Sequence, residues 1–295
     1  MTAVLVRGLR KVYPGEKIAL DGLDFEVRQG ELFGMVGPDG AGKTTLMKIL
    51  AGVLPASGGQ IHVLGRDLGA QVEAVRTEIG YIPQRFSLYT DLTVKENLDF
   101  YSSLFPRRRD RTEELLERVG LAPFLHRLAG DLSGGMKQKL ALVTALVHGP
   151  SLLLMDEPTV GVDPVSRKEF WSIVFELQKE GLTVLSSTPY MDEAEQFDRL
   201  ALLDRGRFLR VGTADEIRAS VPGHVVEVLC DRPFEASRDV RSLPGVEDVQ
   251  LFGNRLHVFS QQDIEAQLGG LAGVLRIRPI PYSIEDVFLR LGTEP

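Results

Sequence analysis

The spacing of hydrophobic and polar positions changes period several times along the chain. Near the start, Leu23, Phe25 and Val27 alternate with Asp24 and Glu26, the two-residue period of a half-buried strand. Ala3 to Arg7 and Ile18 to Leu20 predict two further short strands, with Pro14-Gly15 and Asp21-Gly22 as turns. Leu32 to Val36 is an unbroken apolar run ending at glycine, which predicts a buried strand entering a glycine-rich loop. Beyond the loop, Leu46, Ile49, Leu50 and Val53 recur at i, i+3, i+4 and i+7, one face of a helix. From Ser87 to Gly149 the pattern is helical: Leu115, Leu116, Val119 and Leu121 mark one helix, and Met136, Leu140, Val143 and Val147 another. Ser151 to Met155 and Leu182 to Ser187 predict buried strands with a helix through Phe170 to Leu177 between them, and Leu200 to Val211 a hairpin turning at Asp204-Arg205-Gly206. Strands alternating with helices predict an α/β core around a parallel sheet.

Pro222-Gly223 punctuates the pattern, so a boundary is expected near Ser220 to His224, dividing residues 1–220 from 224–295. The tail reads as strand (Val225 to Leu229), helix (Phe234 to Ser242), strand (Val246 to Phe252), strand (Arg255 to Phe259), helix (Ile264 to Leu271), strand (Val274 to Ile280) and a closing helix (Ile284 to Leu291). A βαββαβ order suggests a small ferredoxin-like α+β domain.

Composition narrows the classes. With 41 acidic and 34 basic residues the formal charge is −7, which argues against a protein that coats nucleic acid through a general positive field. The lone cysteine, Cys230, excludes an internal disulfide and a cysteine-based zinc site and fits a reducing compartment. No apolar stretch approaches the ~20 residues of a membrane helix, and no signal peptide is visible, so no direct membrane insertion is expected.

Three segments carry candidate chemistry. Gly37-Pro38-Asp39-Gly40-Ala41-Gly42-Lys43-Thr44-Thr45 fits G-x-x-x-x-G-K-[ST]. Its glycines let successive N–H groups turn inward on an anion, and the following helix adds its positive N-terminal dipole. Lys43 is placed to reach β- and γ-phosphates, and the Thr44 hydroxyl to ligate Mg²⁺. The apolar run Leu152-Leu153-Leu154-Met155 ends in Asp156 and Glu157. Carboxylates at the end of a buried strand need a cation or partner; beside a phosphate loop, Asp156 suits Mg²⁺ and Glu157 suits orienting or deprotonating the attacking water. In Leu132-Ser133-Gly134-Gly135-Met136-Lys137-Gln138, Ser133 is a natural N-cap, and the two glycines leave N–H groups bare at a helix start, a second anion site.

In their order along the chain (glycine loop, Ser133 segment, Asp156-Glu157) the segments resemble the ATP-binding cassette (ABC) ATPases, a P-loop NTPase family, over about residues 3 to 215. GPDGAGKTT resembles their Walker A, LSGGMKQ their signature and LLLMDEP their Walker B. Gln84 in GYIPQ resembles the Q-loop glutamine that joins Thr44 and Asp156 at Mg²⁺, Asp163 in VGVDP the D-loop, and Tyr13 in KVYPG the aromatic that stacks on adenine. The resemblance implies a RecA-like core with an antiparallel β subdomain and an α-helical signature subdomain (about residues 87–149). It implies MgATP held between one Walker A and a partner's Ser133, Gly134 and Gly135, hence a second ABC cassette, as homodimer or heterodimer. It also implies a separate membrane permease, contacted in the segment Phe86 to Phe105, and a place at the cytoplasmic face of the membrane. The tail, including its closing SIEDVFLRL, resembles the accessory domain of ABC-2-type drug, polyketide and lipid exporters.

The pattern departs at one place. Aligning on Tyr190-Met191-Asp192-Glu193-Ala194 puts Pro189 where the family has its switch histidine. Proline offers neither a side-chain donor nor an N–H. Two expectations follow: weak hydrolysis beside a partner cassette that keeps the histidine, or substitution by Thr188 or Tyr190. A soluble, non-transport ABC protein is disfavoured by the single cassette, the lack of a long coiled-coil insertion and the net acidity. Asp39 stands where asparagine is usual, and Arg107-Arg108-Arg109-Asp110-Arg111 is read as a solvated basic run.

Overall fold

The computed structural model describes residues 1–105, 111–271 and 273–292, so Arg107 to Asp110 of the basic run lie outside the described residues. The first compact unit comprises Met1–Thr213. Its elements are β1 (Thr2–Tyr13), β2 (Lys17–Arg28), β3 (Leu32–Val36), α1 (Lys43–Leu50), β4 (Gly58–Val63), β5 (Arg66–Asp67), α2 (Val72–Arg76), β6 (Ile79–Ile82), α3 (Val94–Ser103), α4 (Thr112–Arg118), α5 (Gly134–Leu146), β7 (Leu152–Asp156), α6 (Pro164–Lys179), β8 (Thr183–Thr188), β9 (Arg199–Asp204) and β10 (Arg207–Gly212).

Two sheets organise the unit. One is antiparallel with strand order β2-β1-β4-β5; the other has order β10-β9-β3-β8-β7-β6 and is parallel except for β10. β3, β7 and β8 are buried along their whole lengths, as central strands of a parallel sheet covered on both faces are, and in β8 the buried set includes the hydroxyls of Thr183, Ser186, Ser187 and Thr188. Helix α1 puts Leu46, Met47, Ile49 and Leu50 into a core shared with Phe25 and Val27 of the first sheet and Phe33, Met35, Leu154 and Leu185 of the second. Phe170, Trp171 and Val174 of α6 are likewise buried.

Several boundaries differ from the sequence reading. Asp21-Gly22 is not a turn: β2 runs on through it, and Gly22 at φ 73° takes up a bulge against Leu9 and Arg10. Val53 does not continue the α1 face and is 60% exposed. Gly52 at φ 69° ends the helix, with Val53 N–H donating back to Lys48 C=O. The strand Ile79–Ile82 is too short for its period to be legible.

The second unit runs from Ala214, so the division falls at Thr213 rather than near residues 220–224, because the helix after β10 groups with the tail. It contains α7 (Ala214–Ala219), β11 (His224–Cys230), α8 (Pro233–Arg241), β12 (Val246–Phe252), β13 (Arg255–Ser260), α9 (Glu265–Leu268), β14 (Val274–Ile280) and α10 (Ile284–Gly292). From β11 to β14 the element order is the expected one. The sheet is antiparallel with order β12-β13-β11-β14. Val226, Val228, Leu256 and Val258 pack with Ala236 and Val240 of α8 and Leu268 of α9. Helix α9 is shorter than read, because Gly269 and Gly270 follow its single turn.

Candidate nucleotide-binding site

The glycine loop joins β3 to α1 at the C-terminal edge of the parallel sheet. Gly37 N–H donates to the Thr188 carbonyl at 3.2 Å, which anchors the loop on β8. A Cβ at Gly37 would lie 2.1 Å from the Leu203 carbonyl oxygen, so only glycine fits. Gly42 caps α1 at φ 114° without a side-chain cap hydrogen bond. The N–H groups of Lys43, Thr44 and Thr45 open the helix and have no intrahelical acceptor, so they and the helix dipole face outward.

Under the loop sits the Lys43 ammonium. Nζ donates to the carbonyls of Gly37 (2.7 Å) and Pro38 (2.9 Å) and pairs with Glu157 Oε1 at 3.0 Å. Both side chains are buried, at 3% and 5% exposure. Gln84 Nε2 donates to Glu157 Oε2 at 2.7 Å. The Glu157 backbone is left-handed at φ 52°, a conformation that costs about 1–3 kcal/mol and persists only when its surroundings impose it. Here its N–H donates to Ser187 C=O (3.1 Å) and is also within bonding distance of Ser187 Oγ (3.0 Å). Ser187 Oγ in turn donates to Asp156 Oδ1 at 2.7 Å. Sequence reading took Ser187 only as the end of a strand. The parallel register Asp156↔Ser187 is what brings it here.

Asp156 is fully buried. Burial pushes its carboxyl above the usual range; the Ser187 and Thr44 hydroxyls pull the other way, Glu157 adds to the rise and Lys43 lowers it. Its Oδ2 is buried without a hydrogen-bond partner. An orphaned carboxylate oxygen near a threonine hydroxyl suits a hard cation that takes oxygen ligands and keeps several waters. Mg²⁺ would suit an oxygen donor set of this kind, with Thr44 and Asp156 as the residues that would hold it. Among the described residues no group of three or more His, Cys, Asp or Glu stands where it could hold a metal ion.

A cavity of about 420 Å³ opens over the loop. Tyr13, Asp39, Gly40, Gly42, Lys43, Thr44, Thr45, Gln84 and Glu157 line it, and the Tyr13 hydroxyl lies 3.3 Å from Thr45 Oγ1. Pro38 and Asp39 are exposed, whereas Ala41 is buried and its carbonyl accepts from Gly206 N–H at 2.9 Å. Lys17, Ile18, Ala19, Arg205 and Gly206 also line the cavity. Sequence reading placed Arg205 and Gly206 in a hairpin turn but gave no sign that its tip rests on the phosphate loop. None of His62, His126, His148, His224 or His257 lines this cavity.

Other predicted residues stand apart from it. Ser133 caps α5, its Oγ accepting from Met136 N–H at 3.3 Å, and Ser133 and Gly134 face solvent. A Cβ on Gly135 would lie 2.5 Å from Ser166 Cβ, so glycine permits the close approach to α6. Asp163 is exposed and caps α6 through Val165 N–H (3.1 Å) and Ser166 N–H (3.0 Å). Pro189 follows β8 directly. Thr188 Oγ1 donates to buried Glu193, and the Arg167 guanidinium lies 4.2 Å from the centre of the Tyr190 ring.

The chain matches the ABC transporter family model over residues 20–160. It is 42% identical to the probable multidrug ABC transporter ATP-binding protein YbhF of Escherichia coli K12 over 88% of its own length, and spans only 46% of that relative. It is 38% identical to the Nod factor export ATP-binding protein I of Rhizobium sp. N33, covering 98% of this chain and 96% of the relative. Among solved structures, the dimeric post-hydrolysis state of the ATP-binding cassette MJ0796 bound to ADP and Pi superposes with a TM-score of 0.66 at 26% identity, covering 71% of this chain and 98% of that one. With its phosphate loop, capped Ser-Gly-Gly helix and buried Lys43–Glu157 pair, the chain belongs to the ABC transporter ATP-binding proteins.

Proposed function

We propose that this chain is the ATP-binding subunit of an ABC-type exporter, which hydrolyses MgATP between two cassettes and drives a separate membrane permease from the cytoplasmic face. One observation carries the reading: the uncapped N-terminus of α1 stands over a buried Lys43–Glu157 pair and beside the unpartnered Oδ2 of Asp156. Lys43 and the first N–H groups of α1 bind the β- and γ-phosphates. Thr44, Asp156 and Gln84 hold Mg²⁺, which when bound offsets charge on the transferring phosphate. Glu157, gripped by Gln84 and Ser187, orients and deprotonates the attacking water. Tyr13 stacks on the base. Ser133, Gly134 and Gly135 serve a nucleotide on the partner cassette, which accords with the exposure of Ser133 and Gly134 outside this chain's own cavity, and Asp163 faces the same interface.

The permease is expected on the segment Phe86 to Phe105, where Tyr89, Phe100 and Leu104 are 46%, 39% and 57% exposed. No described helix is long and apolar enough to cross a membrane. The multidrug and Nod-factor-export names of relatives support an exporter. The second unit is read as the accessory domain that the resemblance implies.

A second reading, a weakly hydrolysing cassette paired with one that keeps the histidine, is favoured at Pro189. Of the two nearest substitutes, the Thr188 hydroxyl is spent on Glu193, and the Tyr190 ring is held against the Arg167 guanidinium.

The test is an equilibrium titration of the full chain with MgATP. Saturable binding is expected, weakened about a hundredfold or more in Lys43→Ala, because the buried Glu157 charge then stands uncompensated as well as the phosphate contact being lost. Undiminished binding by Lys43→Ala would remove the basis of the reading.

A further inference from the structure

Glu193 has no part in the steps above, yet it is among the most deeply buried charged side chains of the first unit, at 1% exposure. It lies in the short 3-10 turn Met191–Gln196 after β8. A carboxylate removed from water is costly unless its oxygens are well bonded, and these are. Oε1 accepts from Thr159 Oγ1 at 2.8 Å and from Trp171 Nε1 at 3.0 Å; Oε2 accepts from Thr188 Oγ1 at 2.5 Å. Arg167 Nε lies 3.9 Å from Oε1. Thr188 Oγ1 also accepts from Tyr190 N–H at 3.0 Å.

The donors come from three different elements. Thr159 sits two residues beyond Glu157 in the loop that runs to Asp163. That loop is otherwise held by the longer bonds Val160 N–H to Glu157 C=O (3.3 Å) and Val162 N–H to Thr159 C=O (3.2 Å). Trp171 belongs to α6, which Asp163 caps. Thr188 ends β8, and its carbonyl accepts from Gly37 N–H of the phosphate loop. Each Glu193 oxygen thus fastens a different side of the site.

We propose that Glu193 is a positioning residue for hydrolysis: its carboxylate ties the Glu157–Asp163 loop to the end of β8 beside Pro189, so that the segment facing the partner cassette and the segment facing the γ-phosphate move together. The inference rests on the ATPase reading above. Glu193 touches no reacting atom; it acts through Thr159 on the strained Glu157 backbone and through Thr188 on the phosphate loop. Charge alone is not the requirement, since a glutamine oxygen can accept from Thr159 and Trp171 while its amide donates to Thr188 Oγ1.

The full chain, Glu193→Ala, Glu193→Gln and Thr188→Val are compared by MgATP affinity, turnover and peptide-resolved hydrogen exchange. In Glu193→Ala, exchange across residues 157–163 and 187–191 should rise about tenfold or more while the other strands keep their protection. Turnover should fall about tenfold or more with MgATP affinity held within about threefold, the signature of a misplaced Glu157 rather than a lost binding contact. Glu193→Gln should restore both readouts. Thr188→Val, cutting only the β8 side, should still loosen residues 157–163. Exchange at 157–163 unchanged in both Glu193→Ala and Thr188→Val, or loosened equally in every strand, would overturn the proposal while leaving the nucleotide reading intact. Failure of the parent chain to bind MgATP would overturn that reading and this role with it.

Discussion

The two edges of the six-stranded sheet each carry a cavity of about 420 Å³, and only one is built to hold an anion. At the C-terminal edge α1 begins, its first N–H groups unspent, over a buried cation and two carboxylates. At the N-terminal edge, Ser151 and Thr183 stand at the starts of β7 and β8, and the ends of α5 and α6 bring Leu146, Gly149, Glu180 and Gly181. Helix C-termini present carbonyls, which repel anions. The charges there are already matched: Arg111 reaches Glu114 at 2.6 Å and Glu180 at 3.0 Å, and Arg118 reaches Glu180 at 2.5 Å. Hydrogen bonds from Arg111 and Arg118 hold the Glu180 carboxyl below its usual range despite some burial. Volume is therefore no guide; direction of the backbone dipoles and unspent polar atoms are.

Three substitutions probe this contrast. The largest effect is expected from Glu157→Gln, which should lower turnover about a hundredfold or more while MgATP binding persists, because the amide keeps the contact with Gln84 but not the base. Single-turnover measurement beside equilibrium binding checks it; unaltered turnover would take Glu157 out of the catalytic role. Pro189→His should act in the opposite direction and raise turnover about tenfold, by supplying the missing donor at the γ-phosphate. Steady-state hydrolysis at saturating MgATP measures this, and no gain would mean that the chain already has a substitute. The smallest effect belongs to the other edge. Glu180→Gln should cost about 1 kcal/mol of stability or less, since its arginines are partly solvated. It should shift MgATP affinity less than about twofold; a large loss of affinity would show that the two edges are coupled.

Much of the fold was legible because local patterns carried it. The runs Leu32 to Val36 and Leu152 to Met155 read as buried strands and are buried strands. Gly42 and Ser133 mark helix starts through rules that operate within four residues. Reading failed where a residue had two local uses. Gly22 serves a turn or a bulge equally well, and the pairing with β1 chose the bulge. Val53 fits the helix period, but Gly52 ended the helix first. At the site, the loop lysine and the strand-end carboxylates could be named from spacing, whereas Ser187 and Gly206 had no motif to announce them, and Glu193 stood in the aligned Tyr190 to Ala194 run with no role attached to it.

The sequence by itself determined the phosphate-loop motif and the Ser133-capped helix start, since each depends on neighbours within a few positions, and the resemblance to the family pointed to Pro189 at the histidine's place. Tertiary structure alone decided that Ser187 bonds Asp156, that the Arg205-Gly206 tip supports the loop, and that Glu193 gathers Thr159, Trp171 and Thr188. Those contacts depend on strand order and register, which are settled by the packing of the whole sheet against its helices and are not encoded in any short segment.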